Sequence, residues 1–243
     1  MRINADGIHY RELNEQVHAA LGNGEKAVTL DNVRGQRYIG TGLGNGFKVI
    51  INGVPGNDLG AFVNGAEIRV NGNAQDGVGN TMNAGRITIH GDAGDVVGYS
   101  MRGGRIFLRG NVGYRAGIHM KAYQDFYPVI VIGGTAKDYL GEYMAGGMMV
   151  VLAMNSAGLS PVGRYVGTGM HGGVIYLRGI VEPHQLGSEV GTDAVNEANW
   201  ADLSKTLTAY CEEFGLSLDD LRRDDFTKLT AKSSRPYGRI YAY

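Results

Sequence analysis

Glycine returns in this chain at a fixed interval. Gly53, Gly72, Gly91 and Gly110 lie 19 residues apart, and Gly60, Gly79, Gly98 and Gly117 repeat the same spacing. Gly134 and Gly141 continue the two columns after a five-residue insertion around residues 123–127. Gly167 resumes the second column after a seven-residue insertion beyond Ala153. A unit of 19 residues is too small to bury an apolar face by itself, so consecutive units must stack on one another. An earlier, less regular copy begins near Lys26 with about one residue of slip.

Each unit carries a short β-like run: KVIING, AEIRVNG, RITIHG, RIFLRG, VIVIGG, MMVVLA and VIYLRG. Within these runs apolar residues alternate with period two. Ile68/Val70, Ile87/Ile89, Ile106/Leu108, Ile130/Ile132, Met149/Val151 and Ile175/Leu177 are expected to point inward, and Arg69, Thr88 and Tyr176 outward. Two glycine-marked corners per unit let the chain turn back and lay the next strand about 4.8 Å above the last. The pattern predicts an all-β solenoid of about seven coils. Val63, Met82, Met101, Met120, Met144 and Met170 are expected to form one internal ladder, where a flexible thioether fills uneven gaps.

Composition supports this reading. Glycine makes up 40 of 243 residues, yet there is no three-residue period and only 5 prolines, which excludes collagen. An apolar fraction of 43% argues against disorder. Lys and Arg number 23 against 24 Asp and Glu, a net charge of −1 that implies neither nucleic-acid nor membrane electrostatics. The single cysteine, Cys211, forms no internal disulfide or cluster site. A polar amino terminus and the lack of a long apolar window lead to an expectation of a cytoplasmic protein.

The ends of a solenoid need covers. Residues 9–21 have helical periodicity at Leu13, Val17, Ala20 and Leu21, followed by a Gly-Asn-Gly stop. Beyond Pro183 the glycine density falls, and residues 195–214 read as an amphipathic helix with Trp200, Leu203, Leu207 and Tyr210 on one side. A second short helix is expected over 217–223 with Ser217 as N-cap, and an extended polar tail after it. The chain thus divides into an N-terminal cap (1–24), a glycine-repeat solenoid (25–180) and a helical C-terminal arm with its tail (181–243).

Signals for chemistry are thin. The stretch from Gly40 to Gly46 has neither the Gly-Lys-Ser/Thr of a phosphate loop nor a following helix, and it falls in register with the other corners. His9, His18, His90, His119, His171 and His184 include no pair at metal-binding spacing. Asp92, Asp95, Asp125 and Asp138 lie near corners, which points to turn hydrogen bonding before calcium. Ser100 and Ser160 lack a nucleophile motif, and Cys211 sits on an amphipathic helix as a small apolar residue. No catalytic, cofactor-binding or metal-binding residue is assigned. His90, Arg109 and Arg178, with Arg86 and Arg105 beside them, form either a basic ladder toward an acidic partner or a solvated face. Tyr237 and Tyr241 in the tail join that candidate partner surface.

The spans GVPGNDLGAFVNGAEIRVNGNAQDGVGNTMNAGRITIHGDAG and KDYLGEYMAGGMMVVL resemble the glycine-repeat, or GXGXG, C-terminal domain of the glutamate synthase large subunit. The likeness covers about residues 28–180, and the G-E-Y-M-x-G-G element at 141–147 is its most specific part. It implies a right-handed β-helix and a place in glutamate formation from 2-oxoglutarate and glutamine-derived ammonia. In that family the β-helix is chiefly architectural, so no catalytic residue carries over. A full synthase also has an N-terminal nucleophilic cysteine, an FMN-binding barrel and an iron–sulfur cluster. Here Met1-Arg2 opens the chain, and 243 residues leave no room for a barrel of about 250.

The resemblance therefore implies a non-catalytic scaffold subunit with no cofactor of its own. FMN and the iron–sulfur cluster are expected on partner subunits, an amidotransferase and an FMN-binding synthase, and a homo-oligomer is the other association the reading allows. A similar solenoid occurs in one subunit of formylmethanofuran dehydrogenase and in one of N-methylglutamate synthase. The DNVRGQRYIGTGLGNG segment and the region from Trp200 onward lean toward the glutamate-synthase type. A self-contained solenoid enzyme is the remaining alternative.

Overall fold

The computed structural model describes residues 1–156, 158 and 160–234. Its centre is a stack of parallel strands: β1 (Arg2–Asn4), β2 (Ala27–Arg34), β3 (Lys48–Val54), β4 (Asn64–Asn71), β5 (Ala84–Ile89), β6 (Arg105–Leu108), β7 (Val129–Ile132), β8 (Ala145–Val151) and β9 (Gly172–Arg178). Register follows the repeat. Ile68 pairs with Ile87 and Ile87 with Ile106, each a step of 19 residues. Ile106 pairs with Ile130, a step of 24 that absorbs the first insertion, and Met149 with Ile175, a step of 26 that absorbs the second. The early slip is a register shift between Leu30 and Val33 where β2 meets β3.

The seven strands β3 to β9 are joined by six turns, one fewer than the seven regular coils expected, because seven stacked strands enclose six connections; the irregular first copy, between β2 and β3, adds a turn with the register shift. Inside the stack, the alternating pairs from Ile68/Val70 to Ile175/Leu177 all reach solvent exposure of 1% or less. The Val63–Met170 ladder is fully enclosed beside them.

Helix α1 (Tyr10–Gly22) closes the N-terminal end by burying Leu13, Val17, Ala20 and Leu21 against the same core. His9 caps it, its Nδ1 accepting from the Arg11 amide, and buried Gln36 ties the preceding loop down by donating to the carbonyls of Ala5 and Ile8. The other end is closed differently from expectation. The C-terminal arm supplies two more strands, β10 (Val190–Ala194) and β11 (Phe226–Ala231), and β11 pairs antiparallel with β9. The expected helix over 217–223 is instead two separate 3-10 turns, Leu218–Asp220 and Arg223–Asp225, although Ser217 does cap the first.

Between β10 and β11 runs α2 (Glu197–Phe214), capped by Asn196 and ended by Gly215 in the left-handed conformation. It lies along the side of the stack, where its stripe Leu203, Leu207, Tyr210, Cys211 and Phe214 covers Phe107, Val131, Val150 and Tyr176. This corrects one expectation. Thr88 and Tyr176 do point out of the coil, but they are 2% and 3% exposed, because a second core lies outside the first. Strands β6 to β9 are buried on both faces, as parallel strands under a helix are.

Candidate docking surface

Every coil turns through one corner in which three alternate residues adopt positive φ. In one coil these are Arg115, Gly117 and His119; in the next, Tyr139, Gly141 and Tyr143; in the last, Tyr165, Gly167 and Gly169. The outer two amides donate up the stack and the middle one donates down. Arg115 and His119 bond the carbonyls of Asp138 and Glu142, and Gly117 bonds that of Val97. The middle position has no room for a side chain: a Cβ at Gly98 would collide with Cδ1 of Ile130. The other glycine column answers a second need, close approach of successive coils. At Gly110 a Cβ would stand 2.7 Å from the Gly91 carbonyl oxygen.

Because the corners superimpose, their outer side chains form columns. Arg115 lies over the Tyr139 ring at 4.4 Å, and Tyr139 stacks on Tyr165 at 4.9 Å with 18° between planes. In the neighbouring column His119 stacks on Tyr143 at 5.2 Å and 9°, and Tyr99 meets His119 edge-on at 6.1 Å. Lys137 covers Tyr114 and Arg164 covers Tyr165. Tyr99, Tyr114 and Tyr165 are each about two-fifths exposed, at 39%, 44% and 44%. This aromatic and cationic ridge was not legible as a site in the sequence. Its signal was the residue two before and two after each glycine of the Gly60–Gly167 column, together with the coil-to-coil spacing.

The structure places the sequence-derived candidates away from this ridge; His90 and Arg109 are neighbours on successive coils, but Arg178 is not beside them. His90 lies edge-on to Phe214 at 5.1 Å, with its imidazole pKa lowered first by burial and then by the charge of Arg69. Arg109 is exposed. Gly133 and Leu152 follow it in the same row, so Arg178 is not its neighbour. Arg178 donates to the Asp225 carboxylate and the Asp220 carbonyl, both within the chain. Arg86 bridges Glu67 and Glu213, which also anchors Arg69 and so fixes the end of α2 on the sheet. Tyr237 and Tyr241 lie outside the described residues.

Two open clefts of about 580 and 590 Å³ flank Arg178. In the first, the Ser160 hydroxyl is held by the Gln185 amide, which is not a base. The Cys211 thiol is buried, and burial, then Asp220, pushes its pKa up, so it stays protonated at neutral pH. Asp92, Asp95 and Asp138 accept backbone amides of the next coil, from Asn111, Tyr114 and Arg164, as turn residues do. Among the described residues no group of His, Cys, Asp or Glu is arranged to hold a metal ion, and no helix is long and apolar enough to cross a membrane.

Comparison with known proteins follows the same outline. The family model for the GXGXG motif matches residues 11–234. The uncharacterized protein MJ1350 of Methanocaldococcus jannaschii is 46% identical over 248 residues, covering 98% of this chain and 95% of that protein. Among solved structures, a chain of the formyltransferase/hydrolase complex FhcABCD from Methylorubrum extorquens, crystallised with methylofuran, shares the fold. Its TM-score is 0.51 at 19% identity, over 90% of this chain and 86% of that one.

Proposed function

The chain belongs to the GXGXG-motif family, and from that we propose that it is a scaffold subunit of a multi-subunit enzyme, one that holds catalytic partners and performs no chemistry itself. The observation that carries the reading is how the molecule spends its surfaces. Its own segments cover both ends of the solenoid and one lateral face, while the aromatic and cationic side chains of the corners stay outside. Aromatic and arginine side chains held rigidly at a surface are what protein interfaces use as anchors.

The enzyme we propose is a split glutamate synthase. In it this chain would bring together a glutamine-hydrolysing amidotransferase and a synthase subunit that carries FMN and an iron–sulfur cluster. The G-E-Y-M-x-G-G element supports that kind of complex, and the 46% identity to a protein of which the matched region makes up 95% supports a separate subunit. The similarity to a chain of the formyltransferase/hydrolase complex favours a second reading, the equivalent scaffold of a formyl-transferring complex.

Affinity purification of the tagged chain from its native source separates the two. Co-purification of a flavin-bearing polypeptide and a glutaminase supports the first. Formyltransferase polypeptides in their place select the second, and recovery of the chain alone would defeat both.

A further inference from the structure

We infer that the corner ridge of the last three coils, built on Arg115, His119, Tyr139, Tyr143 and Tyr165, is the face on which an acidic, carboxylate-bearing protein partner docks. The inference rests on the scaffold reading and names the surface that reading needs. Two independent observations carry it.

The first is where side chains are kept at a conformational cost. The outer corner positions have φ between 52° and 73° in the last six coils, a region that costs a side-chain-bearing residue on the order of 1–3 kcal/mol and glycine almost nothing. The chain does use glycine there, at Gly77 and Gly169. In the last three coils, however, five of the six outer positions are aromatic or cationic: Arg115, His119, Tyr139, Tyr143 and Tyr165, with Gly169 the sixth. In the three coils before them the six positions are Asp58, Phe62, Gly77, Thr81, Val96 and Ser100, with one aromatic residue among them. The fold needs the backbone angle in every coil. Phe62 and, in the irregular first copy, Tyr38 are single aromatic residues at such positions, whereas the last three coils carry five aromatic or cationic ones, a concentration that the backbone geometry does not explain.

The second is charge. Arg102, Arg115, Lys121, Lys137 and Arg164 stand on or beside this end of the ridge, against Asp95, Asp138, Glu142 and Glu189. All four carboxylates are already engaged: Asp95 accepts from the Tyr114 amide, Asp138 from the Arg164 amide, Glu189 from the Gly169 amide, and buried Glu142 pairs with Arg115. Among the described residues no ion pair engages Arg102, Lys121 or Lys137, and all three are exposed. The ridge thus offers cations outside any ion pair and ring faces, while its carboxylates already have partners within the chain. A partner that presents Asp and Glu side chains answers the cations directly, and electrostatic attraction of that kind sets association rate and register.

The test uses the full chain. The polypeptide that co-purifies with it is identified by mass spectrometry, isolated, and titrated against wild type, the double variant Tyr143→Gly/Tyr165→Gly, and Phe62→Gly as the control. Glycine suits all three positions, so the melting temperature should hold or rise in every variant. The expected result is a Kd at least about tenfold higher for the double variant and unchanged for Phe62→Gly. Wild-type affinity should also fall as salt is raised from about 50 to 500 mM. Equal affinity of wild type and the double variant overturns the ridge and leaves the scaffold reading standing. If wild type retains no partner, the scaffold reading fails and the ridge with it. A wild-type dimer in sedimentation that the double variant converts to monomer also overturns the proposal, since the occupant is then a second copy.

Discussion

At the level of single residues, the fold is governed by positions where a side chain does not fit. Gly98 combines a φ of +68° with an isoleucine methyl of another coil standing where its Cβ would be. Gly98→Val therefore adds left-handed strain of about 1–2 kcal/mol to overpacking of about 1–3 kcal/mol. A loss of roughly 2–5 kcal/mol is expected, measured by denaturant unfolding; an unchanged midpoint would refute the corner assignment. These glycines were legible in the sequence because their spacing is periodic. The conformations on either side of them were not, since Tyr139, Tyr143 and Tyr165 are residues for which positive φ is rare. Only the stacked register shows that every coil turns this way.

At the level of elements, the sequence showed both helices but not where the second one goes. The clue lay in the outward row, which changes from Arg69 and Thr88 to Phe107, Val131, Val150 and Tyr176 as the strands climb. A lateral cover is the physical reason for that change. Phe107 is fully buried between sheet and helix, edge-on to Tyr210 at 5.6 Å. Phe107→Ala should cost about 3–5 kcal/mol by opening a cavity there. Tyr210→Phe should cost only about 1 kcal/mol. Its hydroxyl donates to the Leu108 carbonyl at 2.9 Å, but that oxygen also accepts the Gly133 amide and is not left bare. Equal losses for the two variants in thermal melts would contradict this packing.

Strands β10 and β11 escaped the sequence reading because Gly191 and Asp193 in one and Lys228 and Ala231 in the other are residues depleted in strands; pairing of β11 to β9, and of β10 to β11, makes them strands. At the opposite end, β1 is held by Arg2 donating to Asp31, whose carboxyl also accepts from Asn52. Arg2 first, then Asn52, holds the Asp31 pKa at about 2. The usual carboxylate value is about 3.9. A depressed pKa stabilises above the unfolded value and is lost as pH falls through the folded one. The β1 contact should thus loosen between about pH 4 and 2, seen as titrating amide shifts of Ile3 and Thr29, and Asp31→Asn should remove that titration. Shifts centred on an ordinary carboxylate pKa would count against the latch.

At the scale of the whole molecule, a stack of repeats gives a rigid rod whose corners repeat in space, so a side chain placed on one coil is held in register with those on the next. That geometry suits holding partners apart at fixed positions. It explains why the surface pattern was present in the sequence yet hidden until the coils were stacked. The basic row through His90, Arg109 and Arg178 was visible in the sequence, but two of its members are absorbed in contacts with the C-terminal arm. The corner ridge needed the third dimension to appear.

The most direct test of the scaffold account is reconstitution. Glutamine-dependent glutamate formation from 2-oxoglutarate is measured with the isolated amidotransferase and flavin-bearing subunits, with and without this chain. The chain alone should show no turnover, and adding it in equal amount should restore coupled activity that the other subunits lack. Full coupled activity in its absence, or turnover by the chain alone, would contradict the account.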